Sequence, residues 1–154
     1  MDKLILFDID YTLFDTASFK ESNLSNYSLY SEVKLLLEKL SKVARLGIFS
    51  QGETMFQLEK LRKTGIDQYF ISSFIDIAED KYDVIEDVID KYKNYEIYLI
   101  DDRISNLEKA KVYKNDIKTV WVKRGPFAVG NNNFIPDKTI PTLDGLENYI
   151  KNEK

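Results

Sequence analysis

The strongest constraint on the fold is a set of five short apolar runs: Leu4-Ile5-Leu6-Phe7, Leu46-Gly47-Ile48-Phe49, Phe74-Ile75-Asp76-Ile77, Ile97-Tyr98-Leu99-Ile100 and Val120-Trp121-Val122. A strand with one wet face alternates apolar and polar residues. Consecutive apolar positions mark strands buried on both faces, as in a parallel sheet covered by helices. The stretches between the runs supply those helices. Ser31 to Lys42 places Val33, Leu36, Leu37 and Leu40 at i, i+3, i+4 and i+7, one apolar stripe. Glu53 to Lys63 carries Met55, Leu58 and Leu61 and stops at Thr64-Gly65, where glycine can take the left-handed C-terminal conformation. Tyr82 to Tyr92 carries Val84, Ile85, Val88 and Ile89, and Ser105 to Tyr113 and Leu143 to Lys151 complete the set. This alternation predicts an α/β fold, a three-layer doubly wound sheet of about five parallel strands with helices on both faces.

A chain of 154 residues, 44% hydrophobic and 31% charged, fits one domain spanning residues 1–154 with a core of its own. Two segments interrupt the alternation. Thr16 to Tyr30, with scattered Phe19, Leu24, Tyr27 and Tyr30, reads as a helix plus loop. Lys123 to Pro141 holds all three prolines, two of the six glycines and the run Asn131-Asn132-Asn133, and reads as a long irregular excursion. Only Leu4 to Phe7 are apolar before Asp8, too few for a signal peptide, and no run approaches membrane-spanning length, so a cytoplasmic protein is expected.

Zero His and zero Cys exclude imidazole bases, thiolate nucleophiles, Ser-His-Asp triads and His/Cys zinc sites. A net charge of −4 without a basic stripe gives no footprint for nucleic acid. What chemistry remains belongs to carboxylates, hydroxyls and amines. In an open parallel sheet the active site lies at the carboxyl ends of the strands. Asp8, Asp10 and Thr12 follow the first run, Ser50-Gln51-Gly52 the second, Lys81 the third at a short distance, and Asp101-Asp102 the fourth. Four carboxylates on one rim repel one another unless a hard cation joins them. Mg²⁺ is the natural candidate, since it takes carboxylates plus substrate phosphate oxygens. Ser50 and Lys81 would donate to those oxygens from the other side, a set suited to phosphoryl transfer.

The string Phe7-Asp8-Ile9-Asp10-Tyr11-Thr12 resembles the Asp-x-Asp-x-Thr signature of the haloacid dehalogenase-like phosphatases. Ser50 stands where that superfamily has its second-strand Ser or Thr, Lys81 where it has its Lys before a helix, and Ile100-Asp101-Asp102-Arg103-Ile104-Ser105-Asn106 resembles its fourth-strand acidic motif. Four motifs in order are more specific than any one alone. The resemblance implies that Asp8 attacks a phosphate monoester to form an aspartyl-phosphate, which water then hydrolyses, with Asp10 as acid and then base. It implies Mg²⁺ held by Asp8, the Asp10 backbone carbonyl and Asp102 before Asp101. Asn106 would hold a metal-bound water or the loop, phosphate would bind at Ser50, Gln51 and Lys81, and Thr12 would brace the first loop by hydrogen bonding. In this superfamily inserted cap domains often choose the substrate. The 37 residues between Thr12 and Ser50 leave room only for a minimal lid at residues 15–30, giving an open mouth for a phosphorylated small molecule or an exposed macromolecular phosphate.

Plainer readings stand beside these. Ser50-Gln51-Gly52-Glu53 and Ser105-Asn106-Leu107-Glu108 fit helix capping boxes, and Lys81 could be a solvated surface charge. Tyr27, Tyr30, Phe127 and Phe134 could line the mouth or merely pack, and Lys123 and Arg124 could touch a leaving group. At the level of function, the alternatives are a receiver-like domain, whose acceptor Asp should follow the third strand where Ala78-Glu79 stand, and a noncatalytic binding or regulatory module on the same fold.

Overall fold

In the computed structural model, which describes residues 1–130 and 133–152, each of the five apolar runs contributes a strand. Asn131 and Asn132 of the asparagine run lie outside the described residues. The elements follow in the order β1 (Lys3–Phe7), α1 (Thr16–Glu21), α2 (Val33–Leu40), β2 (Arg45–Gln51), α3 (Thr54–Thr64), β3 (Ile75–Ala78), α4 (Lys81–Lys91), β4 (Glu96–Asp101), α5 (Ile104–Tyr113), β5 (Lys118–Val122), β6 (Lys138–Ile140) and α6 (Leu146–Asn152). All pairings are parallel, in the order β3-β2-β1-β4-β5-β6.

The runs are apolar at successive positions because they feed two cores. In β1, Ile5 and Phe7 enter one core while Leu4 and Leu6 enter the other, and in β4 Tyr98 and Ile100 part from Ile97 and Leu99 in the same way. The first core is closed by Leu37 and Leu40 of α2, Leu61 of α3 and Ile150 of α6, and the second by Ile85 and Ile89 of α4 and Leu107 of α5. That is the three-layer arrangement expected, with one strand more. β6 lies inside the segment read as irregular. It is a three-residue edge strand with Lys138 and Thr139 exposed and only Ile140 buried, so it carries no apolar run to read. The last helix is also modified: Leu143–Gly145 form a 3₁₀ turn, and the α-helix starts at Leu146.

Both capping boxes are corrected. The α3 N-cap is Glu53, whose carboxylate accepts from the backbone N–H groups of Met55 at 3.1 Å and Phe56 at 2.6 Å, so Ser50 is free of that duty. α5 starts after Arg103 without a side-chain cap, and Ser105 already lies within the helix. The face of α3 differs as well: Met55 is 70% exposed, and the buried side is Gln57, Lys60, Leu61 and Thr64. No helix among the described residues is long and apolar enough to cross a membrane.

Candidate active site

The sheet order reverses between β1 and β4, since the chain winds outward in one direction to β3 and in the other to β6. The crevice at the carboxyl ends of β1 and β4 is therefore where an open α/β sheet exposes a site. Asp8 follows β1 and Asp101 ends β4. The Asp8 N–H donates to Ile100 O at 3.0 Å, which carries the sheet pairing one residue past the strand and fixes Asp8 beside Asp101 and Asp102. One carboxylate oxygen from each of Asp8, Asp101 and Asp102 lies within 4.8 Å of the others.

Lys81, at the start of α4, reaches this cluster from below. Its side chain is 1% exposed, and its ammonium lies 2.6 Å from Asp101 Oδ2 and 3.5 Å from Asp8 Oδ1 while donating to Phe49 O at 2.6 Å. A lysine this buried is paired, and the surface reading of Lys81 falls. Asp101 is also fully engaged. Its Oδ1 accepts from the Arg103 N–H at 2.9 Å, and its Oδ2 accepts from Asn106 Nδ2 at 3.2 Å in addition to Lys81. Asn106 thus orients Asp101. Asp102 differs: its backbone carbonyl accepts from Trp121 Nε1 at 2.8 Å, but its buried Oδ2 has no hydrogen-bond partner among the described residues.

The electrostatics follow from this packing. Burial raises Asp8, Lys81 opposes that, and Asp101 adds to it, leaving the carboxyl pushed up to about 6. Burial, then Asp8 and Asp101, push Asp102 up to about 10. Burial alone would lower Lys81, but Asp101 and Asp8 outweigh it and the ammonium is raised. Three carboxylates with one ammonium leave a local excess of negative charge, and Asp102 contributes to it with a buried oxygen that no donor among the described residues reaches. A divalent cation on Asp8 and Asp102 would satisfy both, so the residues present fit Mg²⁺ and rank Asp102 ahead of Asp101.

Asp10 stands apart from the cluster. Its Oδ1 accepts from Lys60 Nζ at 2.7 Å and Thr16 Oγ1 at 2.9 Å, and its Oδ2 from Gln57 Nε2 at 3.1 Å. Lys60 is 4% exposed and sits over the rings of Phe56, Phe14 and Phe19 at 4.7, 5.2 and 5.6 Å. Neither Gln57 nor Lys60 is apparent as a site residue from the sequence. The available signal is that they lie three apart on α3, on the face that an apolar reading of the helix turns away. Ser50 is sealed from solvent, its hydroxyl accepting from the same Gln57 Nε2 at 2.8 Å, while Gln51 lines the cleft and its Oε1 accepts from the Lys81 N–H at 3.3 Å. Thr12 is fully buried, and its hydroxyl has no partner among the described residues. Bracing of the first loop falls instead to backbone groups, with Thr12 N–H donating to Ile9 O at 3.2 Å and Thr12 O accepting from Arg124 Nη2 at 2.5 Å.

A cleft of about 400 Å³ opens above Asp8, Asp10 and Asp102. Thr16, Phe19, Lys20 and Leu24, from the segment expected to form a minimal lid, build one wall. Of the four aromatics considered for the mouth only Phe127 lines it. Tyr27 packs edge-on against Phe14 and Phe19, Tyr30 lies under the Arg124 guanidinium at 3.5 Å, and Phe134 joins the second core. Lys123 and Arg124 do not line the cleft. Arg124 is instead paired with Glu32 at 2.5 Å, and Lys123 lies over Trp121 at 4.8 Å.

No protein-family model matches the chain, and no curated protein matches it in sequence. Solved structures do. It is similar to a haloacid dehalogenase-like hydrolase from Burkholderia xenovorans LB400, with a TM-score of 0.77 at 17% identity over 94% of each chain. A predicted phosphoglycolate phosphatase from Haemophilus somnus 129pt matches with a TM-score of 0.76 at 15% identity, over 97% of this chain and 98% of that one. A hydrolase of the same superfamily from Bacillus subtilis, bound to magnesium, matches with a TM-score of 0.74 at 15% identity over 99% of each. Haloacid dehalogenases are among the matches too. The fold is that of the haloacid dehalogenase-like hydrolases.

Proposed function

We propose that this chain is a haloacid dehalogenase-like hydrolase that cleaves phosphate monoesters with Mg²⁺, through an aspartyl-phosphate on Asp8. The observation that carries the reading is the buried group at the switch point: Asp8, Asp101 and Asp102 within 4.8 Å, Lys81 paired from below, and one Asp102 oxygen without a partner. Asp8 and Asp102 would hold the cation, which supplies Lewis-acid stabilisation of charge on the transferring phosphoryl oxygens. An oxygen of Asp8 bonds to phosphorus as the bond from phosphorus to the leaving oxygen breaks. Asp10 delivers a proton to that leaving oxygen. In the second half Asp10 takes a proton from water as the water attacks phosphorus, and the bond between phosphorus and Asp8 breaks, releasing phosphate. Lys81 offsets the charge of Asp101 and Asp8 throughout, and Gln51 at the floor orients the Lys81 end of α4.

Asp10 favours phosphate over halide chemistry. Displacement of a halide needs no acid at this place, yet here a second carboxylate faces the cleft and is aimed by three donors. The size of the cleft supports a small phosphorylated molecule over a macromolecular phosphate. The test is hydrolysis of 4-nitrophenyl phosphate by the purified protein with Mg²⁺ or EDTA, beside Asp8→Asn. We expect a metal-dependent rate that falls to background in the variant. A rate unchanged in Asp8→Asn overturns the nucleophile assignment.

A further inference from the structure

Away from the carboxylate cluster, the cleft has a chemical character that hydrolysis itself does not require. Its walls carry Tyr11, Phe19, Leu24, Phe56 and Phe127, and three of these stay open to solvent, with Leu24 at 53%, Phe127 at 41% and Phe56 at 40%. Apolar side chains left wet around a concave site are covered when a ligand of matching character enters. Two cations stand among them. Arg103 lies with its guanidinium 3.9 Å from the centroid of Phe127, and Lys20 lies over Tyr11 at 5.8 Å. Among the described residues neither makes a salt bridge with a carboxylate, unlike Lys60 and Lys81, whose charges are spent on Asp10 and on Asp101 with Asp8. A guanidinium held over an aromatic ring still has N–H groups to offer an acceptor. The other charged groups lining the cleft are Asp8, Asp10, Asp102, Lys60 and Glu79, so among the described residues Lys20 and Arg103 are the two lining cations without a carboxylate in a salt bridge.

We infer that the leaving group of the substrate is a planar, largely apolar body bearing a second anionic group, with the ring covered by the exposed Leu24, Phe56 and Phe127 side chains and the anion held by Lys20 and Arg103. This rests on the phosphatase reading above, and it names the substrate class that reading leaves open. A carboxylate or a second phosphate would present the same chemistry to the two cations. A neutral sugar phosphate would leave both cations unpaired and the apolar rim wet.

The probes are phenylphosphonate and 4-carboxyphenylphosphonate, which cannot turn over, titrated calorimetrically into the protein with Mg²⁺. Phenyl phosphate and 4-carboxyphenyl phosphate are assayed in parallel. The carboxylated member of each pair is expected to be favoured by about tenfold or more, the scale of one charge-assisted hydrogen bond. That ratio should fall toward one in Lys20→Gln with Arg103→Gln. Lys20→Gln alone, at an exposed position, should lower the ratio if the double variant fails to fold. Propylphosphonate should bind more weakly than phenylphosphonate. If both aromatic phosphonates bind equally while phenyl phosphate is hydrolysed, this inference is overturned and the phosphatase reading stands. A preference that survives in the variants overturns the assignment of the two cations. If no phosphonate binds and no phosphate is hydrolysed, both readings fall together.

Discussion

At the scale of single residues, the site is governed by how much negative charge is buried and what offsets it. Burial above all pushes Asp8 up to about 6 and Asp102 up to about 10 from an ordinary value of 3.8. The folded chain therefore holds protons there that the unfolded chain has released, so these groups subtract stability as pH rises. Asp8 does so between its unfolded value and about 6, and Asp102 up to about 10. A divalent cation must displace those protons. The increase in Tm produced by Mg²⁺ should be larger at about pH 9 than at about pH 6, and the dependence should flatten in Asp102→Asn, as followed by thermal unfolding with and without EDTA. Lys60 acts on Asp10 by position. Lys60→Met keeps an apolar stem among the three rings but removes the 2.7 Å contact to Asp10. In the phosphatase assay kcat should fall by roughly tenfold to a hundredfold with KM little changed, and Lys60→Arg should recover part of the loss.

At the scale of elements, α3 joins two functions. Its N-terminus is closed by Glu53, so Glu53→Ala should cost about 1 kcal/mol in urea unfolding while leaving metal-dependent hydrolysis in place. Its buried face supplies Gln57 and Lys60 to Asp10, 47 and 50 residues away in sequence. Periodicity could not reveal that face. A polar side chain is buried only where another segment brings it a partner, and the partner comes from the loop after β1. The same loop shows why Gly125 stands where it does. Its φ is +86°, and a Cβ there would lie 2.6 Å from the Tyr11 ring, whose own residue holds a φ of 62°. β6 was hidden for a different reason, since an edge strand with one buried residue needs no apolar run.

At the scale of the whole molecule, Arg124 ties together parts of the chain that no single element holds. It pairs with Glu32 at 2.5 Å, donates to Thr12 O at 2.5 Å and stacks on Tyr30, while Glu32 also accepts from the Leu143 N–H at 3.1 Å. The loop after β1, the approach to α2, the exit from β5 and the start of the last helical segment meet in this one network. Arg124→Met leaves Glu32 largely buried without its cation, so chemical denaturation should register a loss of about 3 kcal/mol. A variant as stable as the wild type would show the network to be idle.

The sequence by itself determined the layer structure, because apolar residues at consecutive strand positions can be buried only between two cores. It also determined where carboxylates could gather, because Asp8, Asp10, Asp101 and Asp102 lie at or just past the ends of two of those apolar runs. The tertiary structure decided their division of labour. Lys81 and Asn106 occupy Asp101, Asp102 keeps an oxygen free, and Lys60 with Gln57 holds Asp10 apart from the cluster. Local pattern reports which residues must leave water. Which charged group meets which is set by the order of strands in the sheet, and that order is a property of the assembled fold.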